Sequence, residues 1–103
     1  MLPYIDTVVN AVDETAETYT AGDTVRIIGE YLKFEKDDET QGVFLKQGEE
    51  EIRLTDYAWN LPKRIEVRLP GELTAGSYTL IVRAKPSTQV RETNWENPLV
   101  ISA

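Results

Sequence analysis

The chain contains no cysteine and no histidine. Without cysteine no disulfide can staple the fold, and nothing in cysteine usage points to an oxidising compartment. Stability must therefore come from core packing alone. The same two absences remove the commonest general base, the thiol nucleophile and the usual zinc ligands. Only three serines are present, Ser77, Ser87 and Ser102, and none sits in a nucleophile elbow. What is left for catalysis is a pair of facing carboxylates about 5 to 9.5 Å apart across a cleft. Any of the 18 acidic residues could enter such a pair, so the pattern singles out none. The chain is expected not to be an enzyme and to need no cofactor or metal.

Basic residues are scarce as well: 11 against 18 acidic ones, for a net charge of −7. Nucleic-acid binding rests largely on neutralising phosphates, so direct contact with DNA or RNA is disfavoured, as is adsorption to anionic membranes. No stretch approaches the roughly 20 apolar residues of a membrane span. The start, Met1-Leu2-Pro3-Tyr4-Ile5-Asp6, lacks the basic-then-apolar pattern of a secretory signal. A cytoplasmic setting is the expectation. At 103 residues the chain reads as one domain, residues 1–103, with room for a single core and little for a deep cavity.

What is present is a period of two. In Arg64-Ile65-Glu66-Val67-Arg68-Leu69 charged and apolar residues alternate without a break, so Ile65, Val67 and Leu69 face a core while Arg64, Glu66 and Arg68 face water. Pro70-Gly71 ends that strand. Ser77 to Arg83 forms another, entered through Ala75-Gly76, with Tyr78, Leu80 and Val82 on one face. Thr24 to Ile28 follows the turn Ala21-Gly22-Asp23 and stops at Gly29. Gly42 to Leu45 and Glu51 to Leu54 flank a link of about five residues containing Gly48, which is hairpin spacing. Ile5 to Val9 and Leu99 to Ile101 complete about seven short strands, the pattern of an antiparallel β-sandwich. From Ala11 to Tyr19 the reading stays open: Asp13, Glu14 and Glu17 suit a helical turn, whereas Thr15, Thr18 and Tyr19 suit an extended edge.

Two stretches carry a resemblance. Thr20-Ala21-Gly22-Asp23-Thr24-Val25-Arg26-Ile27-Ile28-Gly29-Glu30-Tyr31-Leu32 resembles the opening of immunoglobulin-like domains of the transcription-factor and receptor type. Leu73 to Val82 is similar to their penultimate strand, and Tyr78 looks like the tyrosine corner, whose hydroxyl bonds back to nearby backbone. More narrowly, Asn60 to Pro70 looks like an uncharacterised Bacteroides-type family of Ig-like domains, often found behind an HU-like DNA-binding domain. The resemblance spans residues 3–102 and implies an all-β, immunoglobulin-like antiparallel sandwich. It brings no catalytic residues with it. Because this chain has no HU-like portion, the resemblance transfers no DNA binding either.

The remaining candidates are surface features. Tyr57, Trp59 and Trp95 fall outside the cleanly alternating strands and could stack on glycans or anchor a protein partner. Equally, Trp59 could cap the core against Leu61 and Pro62, and Trp95 could begin the last strand. Asp37-Asp38-Glu39 lacks the spacing of a calcium loop and reads as a solvated tip. Glu49-Glu50-Glu51 reads the same way and could shield a hairpin edge. The run Lys85 to Asn94 is either a long binding loop, with Arg83, Lys85 and Arg91 as a basic patch, or a continuing hairpin with Val90 packed inward. The sequence thus points to a non-catalytic interaction or assembly module, self-associating or bound to a protein, at the C-terminal end of a larger DNA-binding protein. The alternative is a surface or periplasmic accessory module that binds glycans.

Overall fold

Alternating apolar residues build two sheets that close on one core. The computed structural model describes residues 2–12, 14 and 18–102. Asp13, Thr15 and Glu17 lie outside the described residues. The strands are β1 (Tyr4–Asn10), β2 (Thr18–Thr20), β3 (Thr24–Glu30), β4 (Gly42–Gln47), β5 (Glu50–Arg53), β6 (Tyr57–Leu61), β7 (Arg64–Arg68), β8 (Gly76–Ala84), β9 (Arg91–Asn94) and β10 (Leu99–Ser102). No helix occurs among the described residues. One sheet runs β1-β3-β7-β6 and the other β2-β10-β8-β4-β5, with β9 also on β8. The fold is an immunoglobulin-like β-sandwich.

Among the described residues ten strands replace the roughly seven expected because three carry weak signals. β2 has only three residues, β9 (Arg-Glu-Thr-Asn) has no apolar residue, and β6 contains a register shift between Tyr57 and Trp59. β9 and β10 both pair with β8, at Ile81–Ala84 and at Gly76–Tyr78. They form one interrupted strand with residues 95–98 between. So Arg91–Asn94 continues the hairpin, whereas Val90 is exposed rather than packed inward. The N-terminal segment serves both sheets: β1 pairs antiparallel with β3, and β2 crosses over to pair parallel with β10.

Val25, Ile27, Ile65 and Val67 from the first sheet meet Val43, Leu45, Leu80, Val82, Leu99 and Ile101 from the second. Each such burial stabilises the fold by roughly 1.5–3 kcal/mol. Leu32 and Phe34, from the long β3–β4 connection, also enter this core. That connection runs along β6: the Leu32 amide donates to the Pro62 carbonyl, and the Asn60 side chain bonds both the amide and the carbonyl of Phe34. The flank of β6 is thereby covered, one of the ways natural sheets blunt an edge. The β4–β5 connection is tighter than expected, two residues with Gly48 at φ 62°.

The Tyr78 hydroxyl donates to the Thr74 carbonyl at 2.8 Å, just after Gly76 enters β8 at φ 147°. Gly29 has a different reason to be glycine. A Cβ there would sit 1.8 Å from the Tyr4 carbonyl oxygen of β1, which runs beside it in the sheet with Ile5 opposite Gly29. Gly29→Ala should displace β1 and lower stability by about 3 kcal/mol, the upper part of the overpacking range. Urea denaturation measures this, and an unchanged midpoint would mean that β1 does not lie against Gly29.

Candidate interaction surface

The three aromatic candidates do not come together. Tyr57 and Trp59 lie on strand β6 rather than in a loop, and the register shift between them turns one inward and the other outward. Tyr57 pairs with the inward-facing Val67 and packs edge-on against Phe34, ring centroids 4.8 Å apart. Its hydroxyl accepts from the Val43 amide at 2.9 Å and donates to the Leu54 carbonyl at 2.6 Å. A residue of the first sheet thus completes the end of a ladder in the second. Burial pushes its phenol pKa up, which suits a hydroxyl that stays neutral and donates. Trp95 is half-buried between β9 and β10 and packs on the core from the β1 side. That is the opposite edge of the first sheet from β6.

Trp59 alone presents its ring to solvent. It is 48% exposed, and Leu61, two residues on and facing the same way, is 43% exposed. The core-capping alternative therefore does not describe Trp59. Its indole is covered on one side by the Arg64 guanidinium, 5.4 Å from the ring centroid. At the other edge of the sheet Tyr4, opposite Glu30, is also exposed, as is Leu2 just before β1.

Between these apolar flanks lies a charge cluster that sequence alternation misread. Glu66 projects from the outer face yet is only 8% exposed. Arg64, two residues before it, and Arg26, from the adjacent β3, both close over its carboxylate, with Nε to Oε2 distances of 2.9 and 3.0 Å. Arg26 also reaches Glu14 at 3.0 Å. Burial alone would raise the Glu66 pKa, but the arginine hydrogen bonds outweigh it and hold the carboxyl below its usual value. Position 66 looked solvated because its partner Arg26 lies 40 residues away in the chain.

The other charged candidates are held in place. Arg83 is bound bidentately by Glu51 at 2.8 and 2.9 Å and by Glu92 at 2.7 Å, and it covers the Phe44 ring. It therefore does not combine with Lys85 and Arg91 into a free basic patch. Asp38 accepts from the Thr40 hydroxyl, the Gln41 side chain and the Thr40 amide, which lower its pKa to about 2. Among the described residues no group of three or more acidic side chains is arranged to hold a metal ion.

Two substitutions probe these groups. Tyr57→Phe leaves the Val43 amide and Leu54 carbonyl without their bridge and should cost about 1–3 kcal/mol in urea denaturation. For Glu66 the folded-state pKa lies below the unfolded value near 4.5. Its contribution to stability is therefore complete above that pH and is lost as pH falls through the lower, folded value. Glu66→Gln should lose about 2 kcal/mol at pH 7 and converge with the wild-type protein on acidification. A constant gap from pH 7 to pH 2 would mean that the carboxylate charge does not matter.

Comparison with known proteins fits this geometry. A crystal structure from Bacteroides vulgatus ATCC 8482, described as a "Putative bacterial DNA binding protein", superposes with a TM-score of 0.82 at 22% identity. The match covers 96% of this chain and 47% of that one, so this chain spans about half of that protein's length, and the likeness is one of fold. No curated protein sequence matches. The family model described as "Domain of unknown function (DUF4469) with IG-like fold" matches residues 4–96, and the chain belongs to that family.

Proposed function

We propose that this domain is a non-catalytic interaction or assembly module, the C-terminal part of a larger cytoplasmic bacterial DNA-binding protein, and that it does not itself bind DNA. The observation that carries this reading is the outward pair Trp59 and Leu61, exposed on β6 with Arg64 beside them. Tryptophan and arginine are the residue types most enriched where interfaces concentrate their energy. The flank of β6 is occupied by residues 32–36, so the face rather than the strand edge is the surface offered. The net charge of −7 and the commitment of Arg26, Arg64 and Arg83 to carboxylates both oppose phosphate binding. A glycan platform is the weaker reading, because Arg64 covers one face of the only fully outward indole.

Light scattering over a concentration series tests assembly. A reversible dimer is expected, reduced to monomer by Trp59→Glu with Leu61→Glu while the circular dichroism spectrum is unchanged. A strict monomer to about 1 mM, an association weaker than roughly 4 kcal/mol, or a dimer indifferent to the double substitution would overturn the reading. A labelled DNA duplex should show no binding even near 50 mM salt, where phosphate contacts are strongest; binding there would overturn the second half. A shift of tryptophan fluorescence on glycan titration would favour the alternative.

A further inference from the structure

At the far end of the sandwich the β4–β5 hairpin overhangs the connection between β7 and β8. Beneath it is a hollow of about 190 Å³ lined by Gln47, Glu50, Ile52, Leu73, Thr74 and Tyr78, with Pro70 and Glu72 at its rim. Its floor is apolar. Ile52 and Leu73 pack on the core, and Tyr78 is buried with its hydroxyl turned to Thr74. Across Ile52, Pro70 and Glu72 it meets a second hollow of about 390 Å³, which includes Leu54, Asp56, Arg53, Arg68 and Leu69.

The charges of the first hollow do not balance locally, since Glu50 and Glu72 line it with no basic residue. Among the described residues the carboxylates of Glu50, Glu72 and Asp56 make no ion pair or side-chain hydrogen bond. Two arginines, Arg53 and Arg68, line the second hollow but not the first, and both are held by backbone carbonyls. Arg53 donates to the carbonyls of Gln41, Lys36 and Asp38 at 2.9, 3.0 and 3.1 Å, and Arg68 donates to the Gly22 carbonyl at 3.3 Å. What remains is an apolar slot rimmed by free carboxylates.

We infer that this hollow is a docking site for a lysine side chain of a partner polypeptide. A lysine is four methylenes ending in a compact charge. The stem would lie on Ile52, Leu73 and the Tyr78 ring, and the ammonium would reach Glu50 and Glu72 at the mouth. Stem burial with the charge left near water is how lysine ordinarily covers apolar surface. Charge complementarity selects a basic partner, since the first hollow is lined by Glu50 and Glu72 and by no basic residue, on a chain that is acidic overall. The site is separate from the Trp59 face, and its failure would leave that reading intact.

The test is titration of the isotope-labelled 103-residue chain with N-acetyl-lysine methylamide, followed by amide chemical shifts, beside the uncharged norleucine counterpart. Saturable shifts confined to residues 47–52 and 70–78 are expected, with norleucine inert. Glu50→Gln with Glu72→Gln should weaken the fit about fivefold, as expected for two partly exposed ion pairs, while its own spectrum reports that the fold is kept. Shifts that do not saturate, that spread over the whole acidic surface, that survive the double substitution or that norleucine reproduces would each overturn the proposal.

Discussion

The hydroxyl of Tyr57 holds the two halves of this sandwich in register. A ladder that would close by a direct bond between the Val43 amide and the Leu54 carbonyl instead opens by one oxygen. That oxygen belongs to the other sheet. Immunoglobulin domains of the antibody type cross their core with a disulfide; with no cysteine in the sequence, this chain uses a polar bridge at the side of the core. The bridge explains the neighbourhood. Phe34 must pack against the ring, the β3–β4 connection must follow β6 to deliver Phe34, and Asn60 must turn inward to satisfy the backbone of that connection. The outward exposure of Trp59 and Leu61 follows from the register shift that turns Tyr57 in.

The fold was legible where the two-residue period was uninterrupted. Arg64 to Arg68 and Ser77 to Arg83 lie in strands, and Ile65, Val67, Tyr78, Leu80 and Val82 face inward as alternation named them, with Leu69 buried just past the end of β7. Legibility failed where a short-range pattern was broken or had no apolar content. β6 reads as a loop because its bulge disrupts alternation, and β9 because Arg-Glu-Thr-Asn has no apolar residue to alternate. Burial of Phe44 and Ile81 on the outer face of the second sheet could not be read locally either. The two are cross-strand partners, the Arg83 guanidinium covers the Phe44 ring, and that arginine is fixed by carboxylates from two further strands.

The candidate surface was less legible than the fold, for a related reason. Tyr57, Trp59 and Trp95 are similar as sequence features, yet one ties the sheets, one faces solvent and one fills a gap in the last strand. Only tertiary register distinguishes them. The charge pattern misled in the same way. Net charge correctly flagged an acidic chain, but which acids are free depends on arginines brought from distant strands: Glu66 and Glu51 are neutralised, whereas Glu50 and Glu72 are not. Local sequence fixes residue type, and pairing across strands decides availability.

The parallel contact between β2 and β10 has a mechanical side. Val100, Ile101 and Ser102 lie beside Thr18, Tyr19 and Thr20, one strand from near the beginning of the chain and the other from near its end. If the two ends are drawn apart, parallel neighbours are pulled lengthwise past each other. The bonds between them are then loaded together, whereas a hairpin would unzip one bond at a time. A module placed in series along a polypeptide would resist tension at this short seam, and the crossover of the N-terminal segment between the sheets is what puts the seam in the line of force.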